Sequence, residues 1–140
     1  MGADVVRRAT GSCLCGGVGF TIEGPLRDVV VCHCGQCRKT TGSRVEATKA
    51  RNEHIRFVSD ATLAWYPSSP EAARGFCSRC GGNLFWRRTG AEATSIMAGS
   101  LDPPTGLRVT RHIFCDDRSD YDEITDGKPC YAGASPEGLD

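Results

Sequence analysis

Apolar and polar positions along the chain alternate in short bursts, each closed by a turn signal. In "VGFTI", Val18, Phe20 and Ile22 share one face and Gly19 and Thr21 the other, the period-two pattern of a half-buried strand. "VVVC" at residues 29–32 is a continuous apolar run. "TLAWY" at 62–66, "NLFW" at 83–86, "TSIMAG" at 94–99 and "RVTRHIF" at 108–114 complete the set of predicted strands. Between them stand "CGGVG", "EGP", "YPSSP", "CGGN", "LDPPTG" and "TDGKP", all rich in residues that favour turns. No long stretch holds a helical period. The best short helices are "GQCRKTTG" from Gly35 and "SPEAARG" from near Ser69, with Pro70 in the first turn. Many short strands with few short helices predict a mainly β, antiparallel domain. No repeat, linker or low-complexity block divides the chain, so residues 1–140 read as one domain, with a frayed tail in "AGASPEGLD".

Composition narrows the function. A chain of 140 residues buries roughly two-thirds of its unfolded surface, so it has a core of its own. Lys plus Arg total 17 and Asp plus Glu total 17, which provides no long-range field for nucleic acid or an anionic membrane. No apolar run approaches the length of a membrane span. "MGADVVRRATGS" lacks the apolar centre of a signal peptide, and Val6 breaks the myristoylation pattern that Gly2 begins. There are nine cysteines, an odd number, with no export signal. Metal is therefore favoured over disulfides and a cytoplasmic location is expected.

Seven of the nine fall into three groups: Cys13 and Cys15 in "SCLCGG", Cys32, Cys34 and Cys37 in "CHCGQC", and Cys77 and Cys80 in "FCSRCGG". The last is a zinc knuckle, in which a tight turn aims two sulfurs at one point and the following glycines let backbone amides approach. Cys13 and Cys15, two apart, would leave the same face of a strand. Together the four make a closed four-cysteine site that ties the start of the chain to its middle and contributes folding energy. The middle group has only three thiolates. An open fourth position separates catalytic from structural zinc. Arg38 and Lys39 follow at once; they would offset the negative charge and could hold a substrate carboxylate.

Other readings compete. Cys34 and Cys37 match a redox C-x-x-C pair, although no βαβ pattern surrounds them. A second structural zinc would need a distant fourth ligand: His54, His112, Cys115 or Cys130. His33 is unsuited to that role because strand alternation points it away from Cys32 and Cys34. Cys115, in a strand core, and Cys130 read most simply as free thiols. Arg38 and Lys39 also fit a solvated edge. A nucleic-acid reading, built on "CSRC" with Arg79, Arg87 and Arg88, lacks a basic stripe interleaved with aromatics.

Taken together, "GSCLCGGVGF", "CHCGQCRKTTG", "LAWYPSSPEAARGFCSRCGGNLFW", "GSLDPP" and "HIFCDDRSDYDEITDGKP" resemble the glutathione-dependent formaldehyde-activating enzymes, the family that includes the centromere protein V relatives. The matching pieces run from Gly11 to about Tyr131. The resemblance implies an Mss4-like fold of antiparallel sheets around a structural zinc at Cys13, Cys15, Cys77 and Cys80. It implies a second, catalytic zinc at Cys32, Cys34 and Cys37. It also implies a carbon–sulfur lyase that joins formaldehyde to glutathione as S-hydroxymethylglutathione. The chain departs from the family pattern after Gly42, where Arg44, Glu46, Lys49 and Arg51 interrupt a usually apolar run, and at Cys115, where an aliphatic residue is usual. The rival function is a non-catalytic zinc-stabilised module that binds a small thiol or a protein partner. The sequence does not fix the oligomeric state.

Overall fold

The structure, a computed structural model, describes residues 7–136. In chain order the strands are β1 (Arg8–Ser12), β2 (Gly19–Glu23), β3 (Val29–Cys32), β4 (Val45–Arg51), β5 (Ile55–Ser59), β6 (Leu63–Ser69), β7 (Ala72–Cys77), β8 (Asn83–Arg88), β9 (Ala93–Met97) and β10 (Val109–Ile113). One α-helix, α1 (Gly35–Thr41), follows β3, and short 3-10 turns lie at Asn52–His54, Ala98–Ser100 and Cys115–Asp117. The fold is mainly β, as expected. A three-stranded sheet has the order β1-β2-β5, and a seven-stranded sheet the order β10-β3-β4-β9-β8-β7-β6. Pairings between these strands are antiparallel except β10 with β3, which is parallel, and an isolated parallel bridge joins His112 to Cys130.

The main core draws on both sheets. Val18, Phe20 and Ile22, the predicted apolar face, pack with Ala50, Leu84, Phe85 and Ile96. Phe85 is the hub: Phe20 meets it edge-on at 5.2 Å, Phe57 edge-on at 5.8 Å, and Trp65 stacks at 6.0 Å. A second, smaller cluster of Cys37, Val45, Ala47 and Met97 lies under α1, with Cys32, Cys34 and Trp86 against it. The run β3, apolar throughout, is buried because β10 and β4 flank it.

Three expectations are corrected. The helix expected near Ser69 does not form. Residues 70 and 71 are a hairpin turn between β6 and β7, and Pro70 suits the first turn position because its φ is already fixed. "AARGFC" then pairs on both sides, with β6 and with β8, so ladder bonds override its local helical preference. Cys13 and Cys15 are not on a strand but in the loop between β1 and β2. Cys115 sits in a 3-10 turn beyond β10, not in a strand core, though it is buried. Residues 129–133 return beside β10, where His112 N–H donates to Pro129 C=O at 2.9 Å and Tyr131 N–H to His112 C=O at 3.0 Å. Residues 132–136 of the expected frayed tail carry no regular structure. The expectations placed on Gly2, Val6 and residues 137–140 lie outside the described residues.

Candidate metal centres

The loop after β1 and the turn after β7 meet at one point. The sulfurs of Cys13, Cys15, Cys77 and Cys80 all lie within 4.8 Å of one another. Cys13 and Cys15 are 3.7 Å apart and Cys15 and Cys77 3.6 Å. Four sulfurs on a tetrahedral zinc would stand about 3.8 Å apart, given a bond of roughly 2.3 Å. None of the nine cysteines is in a disulfide.

The local chain is built to aim donors at these sulfurs. Val18 N–H donates to Cys13 Sγ at 3.3 Å and Gly17 N–H to Cys15 Sγ at 3.4 Å. Arg79 and Cys80 N–H groups both donate to Cys77 Sγ at 3.4 Å. Thr62 Oγ1 lies 3.1 Å from Cys77 Sγ, and Arg79 Nε donates to Cys15 Sγ at 3.2 Å. So many donors suit thiolates rather than thiols. They lower the pKa of Cys77 to about 5, with Thr62 the largest cause and the Cys80 amide next. Cys15 is lowered as well, by the Gly17 amide and then Arg79, whereas burial pushes Cys13 up. A divalent cation is the natural partner for this donor set, and the set fits zinc.

The second group is assembled by one short segment. Cys32 ends β3, Cys34 is the N-cap of α1 and accepts from Cys37 N–H at 3.3 Å, and Cys37 is buried in the first turn. Their sulfurs also lie within 4.8 Å of one another. Among the described residues no fourth Cys, His, Asp or Glu atom joins them. Without a cation the three cannot all ionise. Cys34 falls to about 2 because the Cys32 thiol, and then the Cys37 thiol, donate to it. Cys32 is raised, chiefly by Cys34 and then Cys37. Cys37 is drawn down by Cys32 but pushed up further by Cys34 and by burial, and ends raised. Three sulfurs sharing one negative charge at this separation fit a cation too, with one position to spare.

The sequence candidates for a fourth ligand fall elsewhere. His33 does point away from the trio. Its Nε2 is 2.9 Å from His112 Nδ1, and its Nδ1 is 3.4 Å from Asp122 Oδ2. His112 Nε2 is in turn 2.8 Å from Asp126 Oδ2, and Arg44 Nη1 is 3.4 Å from Asp122 Oδ1. Burial is the main reason the His33 pKa is lowered. His54 stands against Gly24, and Cys130 lies on the loop wall with Cys115, where Asp122 and Glu123 also line a cavity. Of the two basic residues expected to hold substrate, Arg38 is half-buried with Nε unpartnered, and Lys39 is exposed.

Sequence reasoning missed Arg74. This side chain from β7 is buried, and its Nη2 donates to Gln36 Oε1 at 3.0 Å and to Cys37 Sγ at 3.7 Å. The signal available was an arginine set among small apolar residues in "EAARGFC". The charged residues of β4 do not break the wall beside the trio. Glu46 and Arg51 face solvent while Val45, Ala47 and Ala50 are buried.

Residues 8–117 match the family described as glutathione-dependent formaldehyde-activating enzyme. A crystal structure of a Rhodobacter sphaeroides protein is similar in fold, with a TM-score of 0.55 and 25% sequence identity. The match covers 87% of this chain and 98% of that one. No curated protein matches the chain in sequence. Among the described residues, no helix is long and apolar enough to cross a membrane.

Proposed function

Because the chain belongs to the glutathione-dependent formaldehyde-activating enzyme family, we propose that it is a carbon–sulfur lyase that makes and cleaves the adduct of a small aldehyde with a glutathione-like thiol. Cys13, Cys15, Cys77 and Cys80 would hold a structural zinc, and Cys32, Cys34 and Cys37 a second one. At its spare position the second ion would supply Lewis acidity and lower the pKa of a bound thiol.

The reaction balances without redox chemistry. The thiol sulfur forms a bond to the carbonyl carbon, the carbonyl π bond breaks, and the oxygen takes up the proton the thiol gave up. The chain's own residues bind and shield. Met97, Val45, Ala47 and Trp86 wall the sulfurs against water on the sheet side. Arg38 and Lys39 stand on the helix where they would orient the carboxylates of a glutathione-like substrate. His33 is engaged by His112 and Asp122, so it does not serve as the base, and the proton exchanges with water.

The observation that carries this reading is the trio with no fourth protein ligand among the described residues. The uncatalysed addition also proceeds in water, so a net rate would be a poor test. Exchange between formaldehyde and glutathione at equilibrium, measured on zinc-loaded protein, isolates the catalysed flux. The protein should exceed the variant with Cys32, Cys34 and Cys37 all changed to Ser. Equal rates would rule the proposal out and favour a non-catalytic thiol-binding module.

A further inference from the structure

Arg74 is 5% exposed, and its guanidinium faces the trio from the sheet side. Strand register fixes it there, directly opposite Tyr66 on β6 and Trp86 on β8, and Trp86 packs against the cysteine cluster. Among the described residues no carboxylate pairs with it. Gln36 is neutral, and among the described residues Arg74 Nε has no hydrogen-bond partner. A buried cation is retained only when something neutralises it. The group within reach that becomes an anion when a cation binds the trio is the Cys37 sulfur, 3.7 Å from Arg74 Nη2.

The charge count then has a consequence for ligand choice. Three thiolates on a divalent ion carry a net charge of about −1, which the fixed Arg74 guanidinium offsets from the sheet side; Arg38, next to Cys37 on the helix, is a second, less buried cation. A neutral assembly admits an anionic fourth ligand, whereas a negative one resists it. Other open polar atoms collect on the same side. Ser68 Oγ is buried without a partner, and its carbonyl accepts from Gln36 Nε2 at 3.2 Å. Asn83 Oδ1 is likewise unpartnered, and its Nδ2 lies 3.5 Å from the Thr40 carbonyl on α1.

We propose that Arg74 is the fixed counter-ion of the cysteine trio and a specificity-determining residue, one that lets the second centre take a thiolate, in preference to a neutral ligand, at its open position. This rests on the second-metal reading above.

Cobalt(II) in place of zinc makes the test visible, since thiolate ligation adds a sulfur-to-metal charge-transfer band. The cobalt protein is titrated with 2-mercaptoethanol, an anionic ligand once bound, and separately with imidazole, a neutral one. Arg74→Met should weaken thiol binding about 10- to 100-fold, the usual effect of losing a group that supports metal ligands. It should leave imidazole binding unchanged, and Arg74→Lys should restore most of the thiol affinity. A merely structural role would weaken both ligands alike, so equal losses overturn the inference, as does unchanged thiol binding in Arg74→Met. Uptake of only one cobalt by the wild type overturns this inference together with the second-metal reading. Cobalt in the four-cysteine group reports folding. If Arg74→Met lacks it, Arg74→Gln against Arg74→Lys decides by the same comparison.

Discussion

Changing Gly17 to Ala tests whether the first cysteine group depends on its supporting donors as much as on its sulfurs. A Cβ at residue 17 would fall well inside contact distance of Thr62 Oγ1, 3.1 Å from Thr62 Cγ2 and 3.2 Å from Arg79 Nη2. The arginine tip gives way easily. Thr62 does not, because its hydroxyl is 3.1 Å from Cys77 Sγ and it stands across from the knuckle. Displacing it forfeits a hydrogen bond to a thiolate, worth about 1.5–3 kcal/mol. Retaining it in place would instead cost about 1–3 kcal/mol of overpacking. Either route gives a loss of about 2 kcal/mol. Since metal binding and folding are coupled here, that is about 30-fold in zinc retention. The assay is zinc transfer to a chromophoric chelator, supported by thermal unfolding. The control is the same change in a Thr62→Ala background, where the obstacle is gone. There Gly17→Ala should cost almost nothing beyond Thr62→Ala alone. If Gly17→Ala is neutral, or costs as much in the Thr62→Ala background, the steric and hydrogen-bond reasoning fails.

Three further outcomes are expected. Phe85→Ala removes the ring against which Phe20, Phe57 and Trp65 pack, and should lower stability by about 3–5 kcal/mol in urea unfolding while leaving the trio's thiols in place. Asp126 has a lowered pKa, first because His112 bonds to it and then because the Lys128 amide does. Its contribution is therefore present above the ordinary value of 3.8 and lost as pH falls through the lower folded value. Asp126→Asn should accordingly flatten the acid limb of the stability profile between the lower folded value and 3.8, and should be most visible as a loss near neutrality. Cys115, pushed up to about 11 by burial and then by its Cys130 neighbour, should react with iodoacetamide far more slowly than exposed Cys130, as read by mass spectrometry of the labelled peptides.

Much of the scaffold is legible in the chain. β2, β3, β8, β9, β10 and α1 lie where alternation, apolar runs and the Gly35–Gly42 segment place them. The elements that escaped have identifiable reasons. β1 is five residues of "RATGS", with Gly11 buried against Phe20, and it carries no hydrophobic pattern to read. β4 reads as a charged interruption because no single alternation runs through it: Val45 and Ala47 are buried on one phase, then Thr48 and Ala50 on the other, so Lys49 and Arg51 fall on the phase that began inward. Val45 and Ala47 point inward and Glu46 outward, while the out-of-phase Thr48 is buried with its hydroxyl bonded to the Arg27 carbonyl. The false helix at Ser69 arose from a motif shared by helix starts and hairpin turns, a proline followed by an acid, which only strand partners can resolve. At the candidate site the seven sulfurs were written in the spacings. Arg74 and the His33–His112 pair were not, because each meets its partners across about 35 to 80 residues of sequence, a contact that no local pattern encodes.

The central claim is that four sulfurs close one metal site and three leave another open. X-ray absorption at the zinc edge of the loaded protein measures this directly. Seven cysteine ligands over two ions predict about 3.5 sulfur neighbours per zinc with a light atom completing the shell, rising to about 4 when a thiol is added. Four sulfurs per zinc before any thiol is added, with one zinc per chain, would mean that only the Cys13, Cys15, Cys77 and Cys80 group holds metal, and the account of the second centre would be contradicted.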